Sequence, residues 1–306
     1  MTKLGEAIYE WMVKYKKNSI KPASFDRMLT TFNLMTRYKL AYIEIDVLTT
    51  DDIQDYLNEL AKDGYALSTI KKQFNLISGY MTYANLRGDI LKPLHKGVKL
   101  PSESSVKKSK KEVVAYNKAE QIALTRVLQT KAYPGYCAAL LMLETGMRVG
   151  EVLALNWGDI DWNRKAIRIS KTLVRLANKK QQYVQNAAKS FTSNRTIPLS
   201  STAYSLLETM FESETNLYGY VFHDSDGNLL SYEAMRWQIN KACDLAGVKY
   251  LGQHVFRHTF ATNCYARGCD VKVLSKLLGH SDVTITYNIY IHLFGDALEE
   301  MRKVIG

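Results

Sequence analysis

The sequence predicts a mainly α-helical protein of two domains, with a small β-sheet confined to the second. Three observations lead there. Apolar residues recur at helical spacing through residues 4–90 and again from Asn117 onward. Period-two patterning occurs in one stretch only, from Ala166 to Ser200. The segment "LKPLHKGVKLPSESSVKKSKKEVVAY", with its prolines, serines and clustered lysines, reads as a connector between the two helical regions. The expected boundaries are a helical domain at 1–100, a basic linker at 101–115 and a second domain at 116–306.

In the first domain, "LGEAIYEWMVKY" places Leu4, Ile8, Trp11, Met12 and Tyr15 on one stripe. "FDRMLTTFNLMTRY" repeats the pattern with Phe25, Leu29, Phe32 and Met35. "TTDDIQDYLNELAKDG" opens with residues suited to an N-cap and closes on Gly64, and "STIKKQFNLISGYMTYANLRGDI" supplies a fourth helix. The second domain begins with the helical "NKAEQIALTRVLQT" and "YPGYCAALLMLETGMRVGEVLAL". Strands follow in "AIRISKTLVRLA" and "QQYVQNAAK", joined through "NKK", and "RTIPLS" is a possible third. Helices resume with "STAYSLLETMFES", "SYEAMRWQINKACDLAG" and the residues after Gln253.

A formal charge of +11 points to a polyanionic partner. The basicity is spread along the chain: residues 1–115 hold 19 Lys+Arg against 13 Asp+Glu, and the remainder holds 22 against 17. The linker lysines Lys107, Lys108, Lys110 and Lys111 read as a solvated connector or as a strap along phosphates, and two basic flanking domains favour the strap. Cys137, Cys243, Cys264 and Cys269 form no CxxC pair, so reduced thiols are expected. No apolar run is long enough to span a bilayer and the N-terminus lacks a signal-like core, so neither secretion nor membrane insertion is expected.

Chemistry-bearing residues cluster in the second domain. "TGMRVGE" sets Arg148 three residues before Glu151, on one side of a helix, a spacing that a surface ion pair also adopts. "QHVFRHTFAT" puts His254, Arg257 and His258 on one helical face. Two histidines four apart suit a metal, but Val255 stands where an HExxH motif has its glutamate, and no further ligands lie near in sequence. A guanidinium beside an imidazole suits a phosphate instead, the fork holding two oxygens and the ring moving a proton. "LSKLLGHSDVTITYNIYIH" then carries His280, Tyr287 and Tyr290. Helical period leaves both tyrosines open as nucleophiles, since they lie on nearly one face.

Taken in order, the arginine of "TGMRVGE", a hairpin lysine, His-x-x-Arg, Gly-His and a tyrosine resemble the tyrosine recombinase, or phage integrase, family over about Asn117 to His292. The resemblance implies a C-terminal tyrosine recombinase catalytic domain preceded by a helical, SAM-like core-binding domain that clamps the opposite face of DNA. It implies that Arg148 is the first catalytic arginine, with Glu151 supporting it. Lys189 in "AAKSFTSNRTIPL" aligns with the general acid for the leaving 5′ oxygen, with Lys179 and Lys180 in the preceding turn as the other lysines in reach. His254 and Arg257 match the His-x-x-Arg box, His258 is its accompanying histidine, and His280 matches the last histidine, which holds the scissile phosphate. Tyr290, ten residues after His280 and followed by Ile291 and His292, matches the nucleophile; Tyr287 is then a packing or phosphate-contacting residue.

A phenol with an ordinary pKa near ~10 is a poor nucleophile at neutral pH, so such a site must stabilise a pentacoordinate phosphorane with positive charge. Two arginines and two histidines supply it, and no metal, ATP or other cofactor is expected. The implied activity is site-specific DNA recombination through a 3′-phosphotyrosine and a Holliday junction, integrating or excising a phage or mobile element. The same residues fit a chromosome- or plasmid-dimer resolving recombinase. A type IB topoisomerase and a catalytically idle DNA-binding protein are the remaining readings. The implied partners are double-stranded DNA with inverted-repeat core sites, accessory DNA-bending proteins and three further copies of the chain. The apolar positions of the tail "LFGDALEEMRKVIG" fit packing on its own catalytic domain, and the resemblance adds docking into a neighbouring copy, which would join the tetramer. A bacterial or phage-encoded protein of the cytoplasm, associated with the nucleoid, is expected.

Overall fold

The computed structural model describes residues 2–106, 114–176, 181–186, 194–215, 219–284 and 286–287. The chain divides into two compact units, Met1–Lys111 with Arg175–Gln181, and Glu112–Val174 with Gln182–Gly306.

The first unit is built on four α-helices: α1 (Leu4–Trp11), α2 (Pro22–Met35), α3 (Thr50–Lys62) and α4 (Leu67–Arg87). Local chemistry sets their ends. Pro22 opens α2, Thr49 and Asp52 form a reciprocal cap on α3, and Gly88 closes α4 in the left-handed region at φ +80°. Their inward stripes meet in a core that includes Leu4, Ile8, Met35, Leu57, Ile70 and Ile77. Tyr15 departs from the expected stripe: the backbone widens into a π-turn over Met12–Lys16, and the ring turns outward, 38% exposed, against Tyr83. Phe25, Leu29 and Phe32 are only half-buried, so Met35 alone of the expected α2 residues is fully inside.

The second unit begins with α5 (Lys118–Leu128), α6 (Pro134–Thr145) and the short α7 (Val149–Leu153). Strands β1 (Ile160–Asp161), β2 (Ala166–Ile169), β3 (Lys171–Arg175), β4 (Gln182–Asn186) and β5 (Arg195–Pro198) follow. Then come α8 (Ser201–Glu212), α9 (Tyr232–Ala246), α10 (His254–Ala266) and α11 (Val271–Leu278). Helix α6 is apolar on every side, and the structure explains why. Its residues from Gly135 to Met142 are all buried, with α5, α8, α9 and α10 packed around them.

The strand expected over residues 166–177 is two strands in different sheets. β2 lies between β1 and β5 in an antiparallel three-stranded sheet, with Ile167 opposite Ile197 and Ile169 opposite Arg195. β3 pairs with β4 alone. The break at Ser170 follows from tertiary anchors on either side. Ile167 and Ile169 enter the core, while Lys171 Nζ is held 2.9 Å from Asp159 Oδ2 and 2.6 Å from Asn156 Oδ1. Among the described residues, no helix is long and apolar enough to cross a membrane.

Candidate active site

Helix α11 ends at Gly279, left-handed at φ +67°, and its last carbonyls have no partner within the helix. Three arginines from three elements supply the donors. Arg195 Nε donates to Leu277 O at 2.7 Å, Arg257 Nη2 to Leu278 O at 2.7 Å, and Arg148 Nη2 to Gly279 O at 2.6 Å. The negative end of a helix dipole thus gathers three positive charges around the turn that presents His280.

Each arginine is placed by its own local structure. Arg148 is the N-cap of α7 rather than an interior helical residue, a correction to the expected same-face helical pair. Glu151, three residues on, receives the Arg148 backbone N–H at 2.8 Å and Arg148 Nη1 at 2.9 Å. Arg257 lies in the first turn of α10, buried, and also donates to Gly146 O at 2.8 Å. Gly146 is itself a left-handed helix end at φ +65°, which turns that carbonyl toward the arginine. Arg195 opens β5 and shares its inward face with the buried Ile197.

Glu151 is buried and grips two guanidiniums. Arg195 meets it with a two-pronged contact, Nη1 to Oε1 at 2.9 Å and Nη2 to Oε2 at 2.7 Å. Burial by itself pushes the Glu151 carboxyl upward, but the hydrogen bonds and charge of Arg195, with Arg148 behind it, hold it at about 2.

His280 Nε2 lies 2.8 Å from Arg257 Nη2 and its Nδ1 2.7 Å from Thr286 Oγ1. Partial burial and the neighbouring Arg257 and Arg148 push its pKa down to about 4. His258 is likewise held at about 4 by desolvation, His254 and Arg257. His254 sits at the first position of α10, and desolvation with Arg257 and Arg148 lowers its pKa although the residue is exposed at the surface. All three rings are therefore neutral at pH 7, beside three fixed positive charges.

The structure thus brings together Arg148, Glu151, Arg257, His280, His254 and His258. Lys189, Lys179, Lys180, Tyr290, His292, the linker lysines Lys107, Lys108, Lys110 and Lys111, and the tail after Tyr287 lie outside the described residues. Tyr287 is 55% exposed. Sequence reasoning missed Arg195 and Thr286. For Arg195 a signal existed, a charged residue on the same strand face as the apolar Ile197; for Thr286 there was none, since its role depends on where His280 points. Among the described residues, no group of three His, Cys, Asp or Glu side chains is spaced to hold a metal ion.

Residues 109–296 match the model of the phage integrase family. The chain is 29% identical to a tyrosine recombinase XerC-like protein of Caldanaerobacter subterraneus, over 95% of this chain and 79% of that one. It is 22% identical to the transposase of transposon Tn916 from Enterococcus faecalis, over 89% of this chain and 70% of that one. In fold it resembles the Tn1549 transposon integrase in complex with transposon right end DNA, with a TM-score of 0.80 at 21% identity over the whole of both chains. It also resembles a lambda integrase dimer bound to a core site, with a TM-score of 0.66 at 18% identity over 94% of this chain and 95% of that one. With more than half its length matched and the ordered arginine, histidine and tyrosine motifs in place, the chain belongs to the phage integrase family of tyrosine recombinases, enzymes that transfer DNA strands.

Proposed function

We propose that this enzyme is a site-specific DNA recombinase that breaks and rejoins strands through a 3′-phosphotyrosine on Tyr290. The observation that carries this reading is the convergence of Arg148 and Arg257 with the neutral imidazole of His280 at one helix end. Such a cluster offers donors and positive charge to the non-bridging oxygens of a phosphate without prior reorganisation. The Tyr290 oxygen bonds to phosphorus as the bond to the 5′ oxygen breaks. Lys189 gives that oxygen a proton, and a neutral imidazole of the cage takes the phenol proton. The phosphodiester energy stays in the covalent link, so a second strand's 5′-hydroxyl reverses the step without ATP.

In this reading residues 1–100 clamp the duplex, residues 101–115 with Lys107, Lys108, Lys110 and Lys111 follow the phosphates between the domains, and residues 116–306 carry the chemistry. Strand exchange runs in pairs through a Holliday junction within a tetramer, the tail docking on a neighbouring copy. The relatives named as transposase and integrase favour a phage or mobile element as the substrate, with accessory DNA-bending proteins and a nucleoid-associated place in a bacterial cytoplasm. The XerC-like relative favours a second reading, resolution of chromosome or plasmid dimers.

The test uses nicked duplexes whose core sequence the protein has itself selected from a random library. Covalent protein–DNA complexes that accumulate without metal or ATP support the proposal; their complete absence refutes it. Direct repeats at the boundary of the DNA carrying the coding region, together with excision of that DNA as a circle, separate the element reading from dimer resolution.

A further inference from the structure

Glu151 sets a problem for the cage that surrounds it. It is a full negative charge, 8% exposed, in direct contact with Arg148. A carboxylate pairs most strongly with a guanidinium through two parallel hydrogen bonds. Left to itself, Glu151 would take both prongs of Arg148 and fold that side chain inward, away from any phosphate. The structure shows a different arrangement. Arg195 occupies both carboxylate oxygens, and Arg148 gives the carboxylate one side-chain bond, to Oε1, while its Nη2 is tied to Gly279 O. The Arg148 side chain is 37% exposed whereas that of Arg195 is 7% exposed, so one faces the surface and the other is sealed beneath it.

We infer that Arg195 is a positioning residue for strand cleavage: by saturating the Glu151 carboxylate it keeps Arg148 turned outward, where its remaining donors reach the scissile phosphate. Arg195 touches no substrate. It acts through Glu151, and its Nε bond to Leu277 O locks it at the helix end where Arg148 is also anchored. The inference rests on the recombinase reading above. A positioning group that displaces a charge by about an ångström can cost roughly 100-fold in rate.

The decisive experiment is a double-mutant cycle on single-turnover cleavage of the library-selected nicked duplex at saturating protein. Arg195→Gln is expected to slow cleavage about 100-fold or more while changing the DNA dissociation constant less than about 3-fold. Neutralising the carboxylate removes the reason for Arg195. Glu151→Gln with Arg195→Gln should therefore cleave at least about tenfold faster than Arg195→Gln alone, and within about tenfold of Glu151→Gln alone. A purely structural arginine would show the same loss in both backgrounds, and that result overturns the inference. If Arg195→Gln does not fold, the comparison of the double variant with Glu151→Gln decides, since neither leaves a buried carboxylate unpaired: a difference within about tenfold supports the inference and an about 100-fold loss overturns it. A wild-type protein that never forms the covalent complex overturns the recombinase reading and this inference together. A wild type that cleaves while Arg195→Gln matches it overturns the inference alone.

Discussion

Arg257 Nη2 and His280 Nε2 stand 2.8 Å apart, and because a guanidinium can only donate, the imidazole accepts at that nitrogen. The ring proton is thereby assigned to Nδ1, which donates to Thr286 Oγ1 at 2.7 Å. Thr286 is completely buried, so this bond is protected from water. Replacing Thr286 by Val removes the acceptor of the Nδ1 proton while Arg257 still fixes the tautomer, so the ring loses one of its two anchors. Nitrogen-15 NMR of the His280 ring should report Nδ1–H in both proteins, with cleavage slowed about tenfold or more in the variant. An Nε2–H signal in the wild type would contradict the assignment.

The two tyrosines of the last segment separate by a simple substitution. Tyr290→Phe should abolish covalent DNA complexes on nicked duplexes while leaving binding intact, because removing the nucleophile removes the chemistry alone. Tyr287→Phe should still form them, its ring being 55% exposed. Denaturing gels read the outcome directly, and the reverse pattern would move the nucleophile to Tyr287.

Removing the Glu151 side chain should destabilise the fold. Glu151→Ala leaves the Arg195 guanidinium, 7% exposed, without its carboxylate, and breaking a buried pair in this way costs about 3–5 kcal/mol. Glu151→Gln keeps the volume and one acceptor oxygen but sets an amide NH2 against guanidinium donors and removes the charge, so its cost should be smaller than that of the Ala variant without vanishing. Urea unfolding of the two variants side by side measures the difference.

Stability should fall with acid in two stages. His258 and His280 are held at about 4, below the ordinary histidine value of 6.5, so the unfolded chain binds protons that the folded chain resists. Their contribution is complete above pH 6.5 and is lost as pH falls toward 4, on the order of 3 kcal/mol or more for the pair. Glu151, held at about 2 against an ordinary 4.5, contributes stability that is lost between pH 4.5 and about 2. Thermal unfolding across pH 7 to 4 tests the first stage, which a His258→Gln variant should roughly halve.

Truncation after Phe294 removes the apolar positions Ala297, Leu298, Met301 and Ile305. The shortened protein should bind a single core site normally, fail to assemble two sites into one complex and lose recombination. Native gels follow the assembly, and recombination at the full rate would refute docking of the tail on a neighbour.

Much of this protein was legible in one dimension. Helices α3, α6 and α9 announce themselves through caps at Thr49 and Ser231, Pro134 and the left-handed Gly146 and Gly247, because caps and turns depend on neighbours a few residues away. The ordered run of Arg148, His254, Arg257, His280 and Tyr290 marked the family for the same reason, since motif spacing is a property of the chain itself. The split of one expected strand into β2 and β3 was not local, because it depends on Asp159 and Asn156 holding Lys171. Nor was the pairing of Arg195, whose carboxylate partner lies 44 residues away in sequence. The sequence by itself determined which groups carry charge and protons. The tertiary structure alone decided which guanidinium saturates Glu151 and which stays exposed, because a carboxylate has only two oxygens and burial selects what reaches them.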